Sequence, residues 1–417
     1  MKESTILMAV CAATLGASAT DMTEPMTLSD VSYRQDRRTQ KVHVSYSLAN
    51  QGEPAYVVMD VLTNGVSIGM EKIKTFESGS AVSQFDGGPV TEGTGKSIVW
   101  NARKDWKGNL STNATVQLSA YYTNRFGVYM VVDISGGPTA TRYPVTYTMD
   151  APDFDTDISC ASNKVWLKRV KAGTFRMGSP SDEVGRSSNE TLHDVTLTKP
   201  FYAGVFPVTL AQYCLVMGVA PSSYYAGSRP SVDGMLVPVR QSTWVDIRGA
   251  ITAETWPNSS KVGADSFMGL LRAKTGLDGF DLLTEAQWEY TCRAGTTTAW
   301  NNGTDCVTTT GEDPNLNLLG WYNKNCSVRQ RVGQKLPNAW GFYDFHGNLW
   351  EWVLDANVAP GAEAVTDPKG STNVNESRVQ RGGSFGGQAS WCRSACRSNG
   401  NPSSGNASFR LAFQLGE

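Results

Sequence analysis

Two grammars share this chain, and the switch between them constrains its fold more than any single residue. Up to about residue 155, short runs alternate apolar and polar side chains with period two. Val42–Leu48 reads VHVSYSL, and Tyr56–Ile68 reads YVVMDVLTNGVSI with an Asn64-Gly65 turn inside it. Period two sends successive side chains to opposite faces of a strand, and Asn-Gly tolerates the positive φ of a tight hairpin. SIVWN, ATVQLSAYY, YMVVDI and YPVTYTM supply further strands. Residues 20–155 are therefore expected to form an all-β sandwich of the immunoglobulin or fibronectin type. None of these strands carries a catalytic group, which suits a spacer or adhesion module.

Beyond it the stretch MDAPDFDTDISCASNK (Met149–Lys164) is acidic and contains proline, and its part 156–164 reads as a linker. The pattern then changes. LAQYCLVMG and LLTEAQWEYTCRAG have helical spacing, and long Gly/Asn/Ser loops separate short apolar runs. Thr284 and Gln287 form the signature of a capping box for a helix starting at Glu285. Residues 165–417 are thus a second, irregular α+β domain. A length of 417 residues also exceeds what one ordinary core organises.

The N-terminus MKESTILMAVCAATLGASAT places Lys2 before the apolar stretch Ile6–Leu15 and Ala17-Ser18-Ala19 after it. This is the pattern of a signal peptide, residues 1–19, and implies a secreted or periplasmic protein. No other segment has the length and apolarity of a membrane span. The net charge is −2 and there is no long basic run, so neither nucleic acid nor an anionic membrane is an expected partner. With Cys11 removed in the leader, Cys160, Cys214, Cys292, Cys306, Cys326, Cys392 and Cys396 remain. An oxidising compartment would favour pairing of some, but the connectivity stays open. No paired CxxC pattern points to structural zinc.

Four segments in order carry a family likeness: VKAGTFRMGSPSDE (170–183), LLTEAQWEYTCRAGT (282–296), LPNAWGFYDFHGNLWEWVLD (336–355), and RGGSF, WCRSACR and SFRL within 381–411. Together they resemble the sulfatase-modifying-factor domain of formylglycine-generating enzymes. The resemblance implies a C-type-lectin-like fold. In its active members it implies oxidation of a sulfatase cysteine to formylglycine, with oxygen and a copper(I) held by two cysteines. Thiolates are soft ligands that suit this ion. In the family pattern the first cysteine lies three residues after the serine of GGS and the second five further on. Here those places hold Gly387 and Cys392. Ser384 matches an active-site serine and Trp391 an aromatic beside the second cysteine. Cys396 is the nearby thiol that could complete a copper site. Cys392 stays open between a structural thiol, a copper ligand and another redox role.

A further branch of the family uses iron held by three histidines, but His43, His193 and His346 are dispersed along the sequence. The turn YDFHGNLWE matches the family's calcium loop. Asp344 and Glu351 would offer side-chain oxygens, and Gly347 and Leu349 backbone carbonyls, which suits a hard ion with irregular coordination. A second calcium position near Asn325 is too loosely matched to assign.

Three functions are open at this point. One is an atypical exported scaffold that binds a protein or small molecule through its C-terminal face, with Phe385, Gln388 and Trp391 as contact residues. The second is a copper-dependent formylglycine-generating oxidase. The third is a receptor diversified by a retroelement, which the small, interchangeable residues at 386–408 would permit.

Overall fold

A computed structural model describes residues 27–36, 38–49, 55–64, 66–68, 72–83, 90–107, 114–122, 129–148, 151–220, 232–252, 254–373, 376–405 and 407–414. The expected leader, residues 1–19, lies outside them. The chain divides into two compact units.

In the first unit the period-two signal is realised directly. Strand Lys41–Ala49 buries Val42, Val44, Tyr46 and Leu48 and turns the intervening residues outward. It lies between Thr27–Gln35 and Gly93–Asn101, antiparallel to both. A second antiparallel sheet sets Ala55–Thr63 between Val66–Ser67 and Ala114–Tyr122. Thr63 pairs with Val66 across Asn64, whose φ is +51°. One apolar cluster draws on both sheets, with Val44, Ile98 and Trp100 from the first and Val57, Met59 and Leu118 from the second.

The second unit is built on strand Lys164–Val170. It pairs antiparallel with Tyr129–Asp133 on one side and with Phe201–Gly204 on the other. Leu411–Gln414 and then Phe280–Leu282 extend the sheet. A second sheet runs in the order Arg397–Gly400, Arg378–Arg381, Glu351–Ala356, Ser408–Phe409. Its main core packs Trp288, Phe342, Phe345, Val353 and Val379 together. The helix Glu285–Arg293 starts at the expected capping box, with Thr284 and Gln287 exchanging side-chain and backbone bonds. Helix Leu210–Met217 carries a second such box at Thr209 and Gln212 and stops at Gly218, which adopts a left-handed conformation.

Two boundaries differ from the sequence expectation. YMVVDI, assigned to the first domain, belongs to the second: Val131 pairs with Trp166 in its main sheet. Tyr129, Met130, Val131 and Val132 are all buried, so this strand lacks the alternation that marks a half-exposed one. The linker 156–164 is also more ordered than expected. Ser159–Ser162 forms a helical turn that buries Cys160 and Ala161. Thr209 Oγ1 donates to the Ala161 carbonyl at 2.6 Å, and Gln212 Nε2 to the Lys164 carbonyl at 2.8 Å. The capping residues of the next helix thus hold the segment down.

Candidate functional site

The helix Glu285–Arg293 is buried along its whole length although it carries Glu285, Glu289 and Arg293. Charges taken out of water are tolerated only when paired and hydrogen-bonded, and here the C-terminal segment supplies the partners. Arg381, the arginine of RGGS, is fully buried. It donates to Glu289, to Glu285 at 3.3 Å, and to the carbonyls of Ser394 at 2.8 Å and Ala395 at 3.0 Å. Arg397 closes on both oxygens of Glu285 at 2.5 and 2.8 Å. Arg393 binds Glu183 and both oxygens of Glu190 at 2.8 Å. Arg410, from SFRL, takes both oxygens of Glu351 at 2.8 and 3.1 Å, and Trp288 Nε1 donates to the same carboxylate at 2.7 Å. The four sequence segments are therefore halves of shared ion pairs.

That frame positions the segment 382–392. Gly382 and Gly383 have φ of +93° and +78°. A Cβ on Gly383 would stand 2.6 Å from Cys392 Sγ, so only glycine lets the turn close over that thiol. Ser384 is half-buried, and its carbonyl accepts the Gly387 N–H at 2.9 Å. Phe385 N–H donates to Asn348 O at 2.9 Å, and Gln388 Nε2 to Ser390 Oγ at 3.3 Å. Trp391 is 46% exposed. At Gly387 a Cβ would lie 3.1 Å from the Trp391 ring and 3.2 Å from Ser384 O.

Cys392 faces inward, among Trp300, Cys306, Leu319 and Tyr322. Burial drives its thiol far above the ordinary range, and Cys396, Cys306 and Cys326 further oppose its ionisation. Burial pushes Cys396 up to about 12. All seven described cysteines are free thiols. A copper(I) ion needs thiolates it can reach. The residues present do not fit it: position 387 has no side chain, and the thiol at 392 is fully buried.

The turn 344–351 is tied into the same frame. Asp344 Oδ2 accepts the Gly333 N–H at 2.7 Å, and burial pushes its carboxyl up to about 6. Gly347 is required by φ +84° and by the Trp321 carbonyl, 2.1 Å from where a Cβ would stand. Leu349 is buried. Glu351, expected as a calcium carboxylate, has both oxygens on Arg410. Among the described residues no three His, Cys, Asp or Glu side chains gather as a metal group. His346 is buried and pushed down to about 4 by desolvation. Its Nε2 accepts from Asn301 N–H at 3.2 Å and its Nδ1 donates to Cys392 O at 2.7 Å, which ties the turn to the cysteine segment.

Residues 161–415 match the sulfatase-modifying factor enzyme 1-like domain. The chain belongs to the sulfatase-modifying factor family. A formylglycine-generating enzyme of Bos taurus is 28% identical over 289 residues, 58% of this chain and 73% of that protein. The chaperone protein LppX of Paenibacillus barcinonensis is 27% identical over 245 residues, 52% of this chain and 78% of that protein. The solved structure of Treponema denticola variable protein 1 covers 60% of this chain and 95% of its own at 26% identity, with a TM-score of 0.46. Within the family domain, sequence reasoning located the glycine turn and Cys392 but missed Glu183, Glu190, Glu285 and Glu289 as the counter-ions. The i, i+4 spacing of Glu285, Glu289 and Arg293 was the available signal.

Proposed function

We propose that the family domain is a catalytically silent scaffold that presents its C-terminal segment, with Phe385, Gln388 and Trp391, to a protein or small-molecule ligand. The observation that carries this reading is the pairing of a bare Gly387 with a fully buried Cys392. Stabilising a two-sulfur copper site would need a thiolate at each place. The half-exposed indole of Trp391 lies beside them, and aromatic side chains with an apolar body and a polar tip are favoured at recognition surfaces. Similarity to a protein named as a chaperone supports a binding role.

The same proposal has the chain exported by residues 1–19 to the periplasm or outside, with the first unit as an immunoglobulin-type spacer. It also has a structural calcium at the turn 344–351, held by Asp344, Gly347 and Leu349 with Glu351 shared between the ion and Arg410. Bound there, calcium would tie down a loop that has little regular structure.

The test is incubation with a CxPxR peptide, copper(I) and oxygen, read by mass spectrometry, beside copper titration of wild type and Cys392→Ser. The reading expects no aldehyde and no copper stoichiometry that depends on Cys392. Aldehyde formation would instead establish the formylglycine-generating activity found in relatives.

A further inference from the structure

A cleft of about 570 Å³ lies in the second unit, formed by the segments 331–337, 317–318 and 154–155 and closed by Tyr343. It takes in none of residues 381–411. The size suits a small organic molecule. The cleft exists because the backbone at Gly333 is drawn inward. Its φ is +77°, its N–H is held by Asp344, and a Cβ there would stand 2.8 Å from the Phe206 ring. Leu336 N–H bonds to Leu318 O at 3.0 Å and fixes the opposite end.

Two cations line this space. Lys335 Nζ donates to the Asn317 carbonyl at 2.6 Å and sits 3.9 Å over the Trp321 ring. Arg331 Nη2 donates to the Asp155 carbonyl at 3.3 Å. Among the described residues neither lies within 4.0 Å of a carboxylate oxygen, whereas the buried arginines of this unit, Arg378 apart, are ion-paired or shared between carboxylates. Burial disfavours the charged form of Lys335, so a nearby anion would restore what the protein has removed. The rim is apolar: Leu318 is 52% and Leu336 58% exposed. Phe154 and Tyr343 meet edge to face, with ring centroids 6.2 Å apart, and supply an aromatic wall.

We propose that this cleft binds a small organic anion, a carboxylate or sulfate on an apolar or aromatic body. The anion sits between Arg331 and Lys335 and the body against Phe154, Leu318 and Leu336. Arg331 offers a planar fork to two oxygens and Lys335 a compact charge, a division of labour that suits either head group. The single carboxylate of the lining, on Asp155, leaves the space net cationic. This binding site is separate from the C-terminal surface and stands whether or not that surface binds a ligand.

The experiment titrates the full chain with phenylacetate and with phenyl sulfate, following amide chemical shifts. Phenylacetamide serves as the uncharged control of the same shape. Binding of the anions, weakening with added salt and at least about tenfold tighter than the amide, is the expected result. The relative affinity of phenylacetate and phenyl sulfate identifies the head group. Arg331→Gln, at a half-exposed position, should weaken both anions about tenfold without moving the thermal midpoint. Lys335→Gln should weaken both anions to the same extent, with the stability lost from its bond to Asn317 and its contact with Trp321 read separately by the thermal midpoint. Equal binding of anion and amide overturns the proposal, as does full affinity in both folded variants or no binding up to about 10 mM.

Discussion

Arg410 and Glu351 form a buried pair in which one guanidinium takes both carboxylate oxygens, at 2.8 and 3.1 Å, with Trp288 Nε1 donating to the same group at 2.7 Å. The same guanidinium also donates to the carbonyls of Gly204 and Val205 at 2.9 Å and of Tyr343 at 2.8 Å. One arginine near the end of the chain therefore joins the main sheet, the turn 344–351 and the buried helix. Removing the acid leaves a buried cation without a counter-charge, which typically costs about 3–5 kcal/mol.

Glu351→Gln is accordingly expected to lower unfolding free energy by about 3–5 kcal/mol. The double variant Glu351→Leu with Arg410→Met should lose less than the sum of the single changes, since neither charge is stranded. Urea unfolding followed by tryptophan fluorescence checks both, and a near-wild-type midpoint for Glu351→Gln would refute the pairing.

The calcium proposal is tested at Asp344, because loss of Glu351 destabilises the fold with or without the ion. Asp344→Asn keeps an oxygen for the Gly333 N–H but removes the charge. Wild type should gain thermal stability on adding calcium, and Asp344→Asn should lose most of that gain. In chelator the two proteins should agree within about 1 kcal/mol, the scale of one altered hydrogen bond. An equal gain in both proteins excludes Asp344 as a ligand.

The first unit was legible because its strands are half-buried: Val42, Val44, Tyr46 and Leu48 alternate with outward residues, and alternation is what sequence displays. Tyr129–Asp133 was assigned to the wrong unit because four successive buried residues look the same in any core. In the second unit, the motif residues Arg381, Arg410 and Glu351 were visible but their mutual pairing was not. Partners such as Arg393 and Glu190, 203 residues apart, share no local pattern. Charged residues normally face water, so a sequence reading assigns them to the surface. Here the irregular segments between the sheets are held by buried ion pairs.

Burial and the nearby Glu285 push the Asp355 carboxyl up to about 7, against an unfolded value near 4. A raised folded value means that the native state binds the proton more tightly than the unfolded chain. This contribution to stability is complete below about pH 4 and is lost as pH rises through about 7. Asp355→Asn, which keeps an oxygen for the Glu285 N–H accepted at 2.7 Å, should flatten the fall in stability between pH 4 and 7. Denaturant midpoints across that range provide the comparison. Parallel slopes in the two proteins would show that Asp355 does not titrate there.

Gly387→Cys restores the sulfur that the family pattern places at this position. The new Cβ meets the Trp391 ring at 3.1 Å and Ser384 O at 3.2 Å, and the half-exposed indole is free to move by the few tenths of an ångström required. The strain should cost about 1 kcal/mol, the low end of overpacking. With a second thiol near Cys392, the variant should take up copper(I) at one equivalent under reducing conditions, and Gly387→Cys combined with Cys392→Ser should not. Stoichiometric uptake by the wild-type chain, lost on Cys392→Ser, would mean that a thiol elsewhere already completes the site and would end the scaffold reading. Failure of the variant to bind copper would locate the defect at the sealed thiol of Cys392, leaving Gly387 as only part of the reason this domain is silent.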